Sequence, residues 1–273
     1  MLARILGFID INQFISPAEL ETAFNLNYHN PYSAFVFGTW ANCILWNKTG
    51  AGDDYDLREY EGAGQPTENM ARLPGISSLV RSCFKTERLK WLRLFRQESG
   101  VVLPHVDFVE MGEGFERIHI PLITAPGALH SEEDQVYHMR PGEIWRVEAR
   151  RVHSVCNLSG QVRLSLCGDF APGGPPDSYI HQSVREAATQ LEPEVIPRPT
   201  FSSDDRQALD DNLTVLLREG RWQDVLVRLI SVHFEKNVSS SAMFEWLDDL
   251  AAQSHDPEVI ERANGIRKLA LGA

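Results

Sequence analysis

Between Leu89 and Cys167 the chain breaks into short segments of alternating or β-rich character separated by turn residues, and this cadence constrains the fold more than any other feature. Residues 89–96, 115–123, 136–139, 143–148, 151–157 and 161–167 read as strands, with Arg140-Pro141-Gly142 and Ser159-Gly160 as turns. Side chains two apart on a strand share a face. Trp91, Arg93 and Phe95 therefore share one face. Phe115, Arg117, His119 and Ile123 oppose Ile118, Ile120 and Leu122, and Arg163 and Ser165 oppose Val162, Leu164 and Leu166. Many short strands at close spacing predict a mainly β protein built on a double-stranded β-helix, the jelly-roll barrel.

Other elements surround this run. Residues 4–10 read as a first strand, and Ser16-Pro17-Ala18-Glu19 opens a helix to about residue 25, with Glu19 reaching back over its own first turn. Ser33 to Trp46 reads as one or two strands whose aromatics belong to the core, with Trp40 a candidate pocket wall. Residues 48–69, glycine-rich and without periodicity, read as a loop able to act as a lid. A short helix is expected over 76–84 and another over 178–191, with a stiff linker from Glu192 to Pro199. Beyond it the pattern is helical: Asp204 to Glu219, Trp222 to Glu235, Ala242 to Ala252, and a last helix opened by Asp256-Pro257. The expected organisation is a barrel domain over 1–192 and a small helical bundle over 193–273, in which His233 is structural.

Within the strand run, His105 and Asp107 stand two apart in Leu103-Pro104-His105-Val106-Asp107-Phe108, so they project to one side and can share a metal ion. His153 supplies a third ligand, and Arg163 follows it by ten residues. Two neutral imidazoles and one carboxylate on one face of an ion leave the opposite positions open, an arrangement suited to non-haem Fe(II) and O2. The competing reading of an isolated H-x-D is a strand with a polar outer face.

The chain of 273 residues carries a formal charge of −12, which argues against nucleic-acid and anionic-membrane partners and makes clustered arginines informative. Cys43, Cys83, Cys156 and Cys167 are widely spaced, without a C-x-x-C, so a reducing cytoplasm is expected and neither a zinc knuckle nor a disulfide framework. The first ten residues do not read as a secretion signal, and no apolar run reaches membrane-spanning length.

Taken together, Val101-Val102-Leu103-Pro104-His105-Val106-Asp107-Phe108-Val109-Glu110, Arg117-Ile118-His119, His138-Met139-Arg140-Pro141-Gly142-Glu143-Ile144-Trp145, Val152-His153-Ser154 and Phe244-Glu245-Trp246-Leu247 resemble the bacterial hydroxylases of free L-proline. The match is chiefly to the cis-3-hydroxylases, within the Fe(II) and 2-oxoglutarate dependent dioxygenases. The resemblance implies that His105, Asp107 and His153 ligate Fe(II), and that Arg163 pairs with the distal carboxylate of the cosubstrate 2-oxoglutarate, with O2 as oxidant and ascorbate an aid in vitro. It implies His119 on the 2-oxoglutarate side and Arg117 toward the substrate carboxylate. By strand position Ser165 is a further candidate near the cosubstrate, Arg93 a second substrate arginine, and Trp145 and Trp40 an apolar wall against the substrate ring. The segment Trp145 to Arg151 departs from the family in being more charged. L-pipecolic acid differs from L-proline by one methylene, a difference worth only about 1–3 kcal/mol in an apolar pocket, so both stand as expected substrates, with C3 the favoured position. The hydroxylated product would serve as a building block for peptide natural products. The rival readings are a jelly-roll protein that binds a dicarboxylate without oxygenase activity, and a zinc or manganese enzyme on a similar barrel.

Overall fold

The structure, a computed structural model, describes residues 3–107 and 114–272. Phe108-Val109-Glu110 of the resembling stretch, and the first two residues, lie outside them. The strands are β1 (Arg4–Phe8), β2 (Val36–Asn47), β3 (Gln65–Pro66), β4 (Leu89–Val102), β5 (Glu116–Ile123), β6 (Ala128–Glu132), β7 (Gln135–His138), β8 (Glu143–Val147), β9 (His153–Asn157), β10 (Arg163–Phe170) and β11 (Glu194–Val195). Among the described residues they form one eleven-stranded sheet in the order β1-β8-β5-β10-β4-β9-β6-β7-β11, with β2 also on β4 and β3 on β2. The mainly β class with appended helices is as expected, the sheet curling into a half-barrel of jelly-roll type.

The long strand β4 joins the two wings. Its residues Leu89 to Gln97 pair with β10, and Gly100 and Val101 pair with β9. The chain turns between them at Gly100, whose φ of +105° and 2.1 Å separation of a built Cβ from Phe37 O admit only glycine. Gly38, its register partner on β2, has φ +127° for the same reason.

Helices cover the outer face of each wing. Against β2, β4, β5 and β10 pack α1 (Pro17–Phe24), α2 (Glu68–Ala71), α3 (Pro74–Cys83) and α4 (Gln182–Glu186), in a core that includes Leu45, Leu79, Leu94, Ile120 and Leu166. Against the other wing pack α5 (Ser203–Arg218), α6 (Trp222–Glu235), α7 (Ala242–Ser254) and α8 (Pro257–Leu271), sharing Val101, Leu103, Leu129 and Cys156 with Phe234, Phe244 and Leu247. The four C-terminal helices stand where the sequence puts them. Ser202 forms a capping box with Asp205 at the start of α5, and Asp256 caps α8. His233 is buried beside Arg198, its Nδ1 within 2.9 Å of Val238 O.

Several expectations are corrected. The helix of 178–191 shrinks to α4, because Ile180 is drawn into a bridge with Phe84 and His181 N donates to Cys83 O, so tertiary pairing overrides local propensity. Part of the expected linker is strand: Glu194 and Val195 pair with His138 and Tyr137. Residues 48–69 are tied down at the outer end of the barrel, with Asn47 Nδ2 donating to Ala51 O and Asp54 O, Tyr60 OH to Lys90 O, and Lys90 Nζ to Tyr60 O. None of them is among the residues lining the cavity described below. Ile123 packs against the main core rather than joining Arg117 and His119, because a register irregularity between β5 and β10 falls there.

Glu19 does not close a box on its own helix. Its carboxylate accepts from Gly75 N at 2.9 Å and Ile76 N at 2.7 Å, capping α3, whose N-cap Leu73 has no side chain able to do so. Glu19→Ala is expected to lower stability by about 1–2 kcal/mol, read as a reduced urea midpoint at unchanged slope. An unchanged midpoint would show that this cap contributes nothing.

Candidate metal centre and cavity

The H-x-D segment is not part of a regular strand, since β4 ends at Val102. It continues as extended chain held at single points: Leu103 N donates to Phe35 O, His105 and His153 exchange both backbone bonds at 3.0 and 2.9 Å, and Asp107 N donates to Ala149 O. Val106 N, between the two expected ligands, donates to Ala270 O at 3.2 Å, so the last helix reaches the site. A directly opposed antiparallel pair projects its side chains to one face, and the imidazoles of His105 and His153 lie with centroids 4.3 Å apart.

One ligand atom from each of His105, Asp107 and His153 falls within 4.8 Å of the others. His105 Nδ1 lies 2.7 Å from Leu103 O and His153 Nδ1 3.0 Å from Arg151 O, so each Nδ1–H is taken by a carbonyl and each Nε2 lone pair is turned toward Asp107. Burial, then the neighbouring His105, drives the His153 pKa down to about 3, so its ring is neutral as a ligand must be. Burial works to raise the Asp107 pKa, but Arg117 and the two histidines hold it well below the usual carboxylate range. Two imidazole nitrogens and one ionised carboxylate fit a divalent transition metal.

These groups open on a cavity of about 370 Å³ along the inner face of the sheet. The register dictates what meets there. Cys167 lies opposite Arg93 on one side and His119 on the other, and Asp169 lies opposite Arg117. Arg93, Arg117, His119, Arg163, Ser165 and Trp40 line the cavity with the three metal-centre residues. Trp40 stands edge-on to Tyr32 and 5.0 Å from the Phe95 ring centroid, forming an aromatic wall. Ser165 Oγ sits 3.4 Å from two backbone carbonyl oxygens, those of Ile120 and Leu166.

Arg163 is 7% exposed, and among the described residues its guanidinium meets no carboxylate. Burial alone pulls its pKa down, to about 10, so it stays charged at neutral pH. Arg93 and Arg117 differ: both pair with Asp169, and Arg117 also contacts Asp107. His119 is held neutral by burial, then by His130 and the surrounding arginines, and among the described residues its Nδ1 has no protein partner.

Trp145 does not line the cavity. It is fully buried against Tyr137 and Met139, with its indole N–H donated to Glu143, so it is packing rather than a substrate wall. Sequence reasoning passed over His130, Glu132 and Asp169. His130 lines the cavity, has no hydrogen bond at either ring nitrogen among the described residues, and lies 3.5 Å from Glu132, which stands opposite His153 in the register. The signals were present: His130-x-Glu132 repeats the H-x-acid pattern, and Asp169 continues the inward row Arg163, Ser165, Cys167. Phe35, read as a core aromatic, stands at the cavity instead, together with Tyr32.

Comparison with known proteins places the chain among relatives. Residues 12–172 match the family model for aspartyl/asparaginyl beta-hydroxylase, and residues 177–273 match that for L-proline 3-hydroxylase, C-terminal. The chain is 33% identical to L-proline cis-3-hydroxylase 1 from a Streptomyces species, over all of this chain and 96% of that protein. It is 27% identical to L-proline cis-4-hydroxylase from Rhizobium meliloti, again over all of this chain and 96% of the relative. A solved oxidoreductase of the 2OG-Fe(II) oxygenase family from Burkholderia pseudomallei aligns with a TM-score of 0.40 at 13% identity, covering 60% of this chain and 81% of that one. The full-length identity settles the assignment: the chain belongs to the family of bacterial L-proline hydroxylases and is an enzyme of the hydroxylase class.

Proposed function

We propose that this enzyme hydroxylates a free cyclic L-amino acid, L-proline or L-pipecolic acid, with C3 the favoured carbon, using Fe(II), 2-oxoglutarate and O2. The observation that carries the reading is Arg163: a buried cation that meets no carboxylate among the described residues, facing the same cavity as the His105, Asp107 and His153 cluster. A buried unpaired charge is costly, and a ligand carboxylate offsets that cost with two parallel charge-assisted bonds. Bound Fe(II) with 2-oxoglutarate supplies the oxidising chemistry, releasing succinate and CO2.

The chain's own residues do the rest. His105, Asp107 and His153 hold the metal from one side. Arg163 anchors the far carboxylate of 2-oxoglutarate, with neutral His119 beside it as a hydrogen-bonding partner. Arg93 and Arg117 receive the carboxylate of the amino acid, and Trp40 and Phe95 wall the ring and exclude water. A fixed carboxylate presents the nearer ring carbons to the oxidant, which favours C3. Four free buried cysteines agree with a reducing cytoplasm, and no helix among the described residues is long and apolar enough to cross a membrane. We assign the product to the supply of hydroxylated building blocks for peptide natural products on family resemblance alone.

The test is incubation of the purified enzyme with Fe(II), 2-oxoglutarate, ascorbate and a panel of L-proline, L-pipecolic acid, acyclic amino acids and short peptides. Mass spectrometry is expected to find one added oxygen on a free cyclic amino acid, NMR to place it at C3, and succinate to appear in step. Oxygen gained only by peptides or acyclic amino acids would sink the substrate assignment. Arg163→Ala is expected to raise the 2-oxoglutarate KM and lower kcat/KM by the equivalent of about 1.5–3 kcal/mol. An unchanged cosubstrate dependence would make this arginine structural.

A further inference from the structure

We propose that Asp169 is a positioning residue, fixing Arg93 and Arg117 as one two-armed receptor for the carboxylate of the amino-acid substrate. The inference rests on the function proposed above and adds a residue that touches neither substrate nor metal. Asp169 is 2% exposed and is not among the residues lining the cavity, whereas both arginines are. Its Oδ1 accepts from Arg117 Nε at 2.7 Å, and its Oδ2 accepts from Arg93 Nη2 at 2.7 Å and from Arg117 Nη2 at 3.3 Å. Arg117 is thus gripped along its Nε–Nη2 edge, which turns Nη1 toward Asp107 and the cavity. Arg93 is held by one amino group, and its other reaches Tyr32 OH at 3.3 Å.

The register explains why this carboxylate takes the part. Asp169 is the direct cross-strand neighbour of Arg117 on β5, and Arg93 on β4 is its diagonal neighbour beside Cys167. Two guanidinium groups crowded on one buried face repel and, left alone, take many rotamers. One carboxylate between them removes both problems. Because both Asp169 oxygens are consumed, its action on substrate passes through the arginines, by preorganisation.

The experiment compares wild type, Asp169→Asn and Asp169→Glu, with folding checked by circular dichroism and thermal melting. The amino acid that the wild type accepts and 2-oxoglutarate are varied separately, and succinate and hydroxylated product are counted together. Asp169→Asn is expected to raise the amino-acid KM about tenfold or more, to move the 2-oxoglutarate KM much less, and to release succinate in excess of product. Asp169→Glu keeps the charge one methylene further out and is expected to fall between the two. If Asp169→Asn does not fold, the glutamate variant decides by the same split in KM. An amino-acid KM within twofold of wild type in a folded variant overturns the proposal, as does loss of kcat alone in proportion to the unfolded fraction. A wild type that accepts no free amino acid overturns the earlier reading and this one with it.

Discussion

The site depends on a two-residue bridge. His105 and His153 lie far apart in sequence, in a segment that has left its strand and at the first position of another, yet they exchange both backbone hydrogen bonds. That exchange puts two imidazoles on one face, with each Nδ1 occupied by a carbonyl two residues back. The tautomer and direction of both rings are therefore set by backbone geometry before any ligand arrives. Asp107 follows by the period of two, steadied by Ala149 O from its own N–H. The C-terminal helices take part as well, through Ala270 O on Val106 N and through Leu103, which packs in the core shared with α5 to α8.

The cavity wall is an exercise in distributing buried charge. Arg93, Arg117 and Arg163 enter the same space from three different strands, and β-alternation alone is enough to bring them there. Their counter-charges are unequal. Asp169 serves two of them and stands out of the cavity, while Arg163 meets no carboxylate among the described residues. Such an arrangement is poor for stability and useful for binding, because the unbalanced charge is what an anionic ligand neutralises. The neutral imidazoles of His119 and His130, each with a ring nitrogen unpartnered among the described residues, extend the same logic to hydrogen bonding.

Much of this was legible in the sequence because it follows from a period of two. The inward row of Arg93 and Phe95, the pair Arg117 and His119, and the row from Arg163 to Ser165 all emerge from alternation, and the four C-terminal helices from capping and apolar spacing. What alternation cannot supply is the neighbour across the sheet. Trp145 has the right parity, standing opposite His119, but lies in a separate packed cluster, a matter of position along the barrel rather than of face. Glu19 caps a helix more than fifty residues away, a contact with no local signal. Residues 48–69 look loose because they lack periodicity, while their fixed points are side chains and carbonyls of β2 and β4. Asp169 continues a row already recognised, and only the register with β5 shows which arginines it serves.

The central claim is that three side chains on two chain segments hold a metal whose presence prepares the cavity for a dicarboxylate. The most direct measurement is anaerobic calorimetric titration of Fe(II) into wild type and Asp107→Ala, followed by titration of 2-oxoglutarate into each. The account predicts one tight Fe(II) site in wild type, 2-oxoglutarate binding that strengthens once the metal is present, and loss of both in the variant. Equal Fe(II) binding by wild type and Asp107→Ala, or 2-oxoglutarate binding indifferent to the metal, would contradict it.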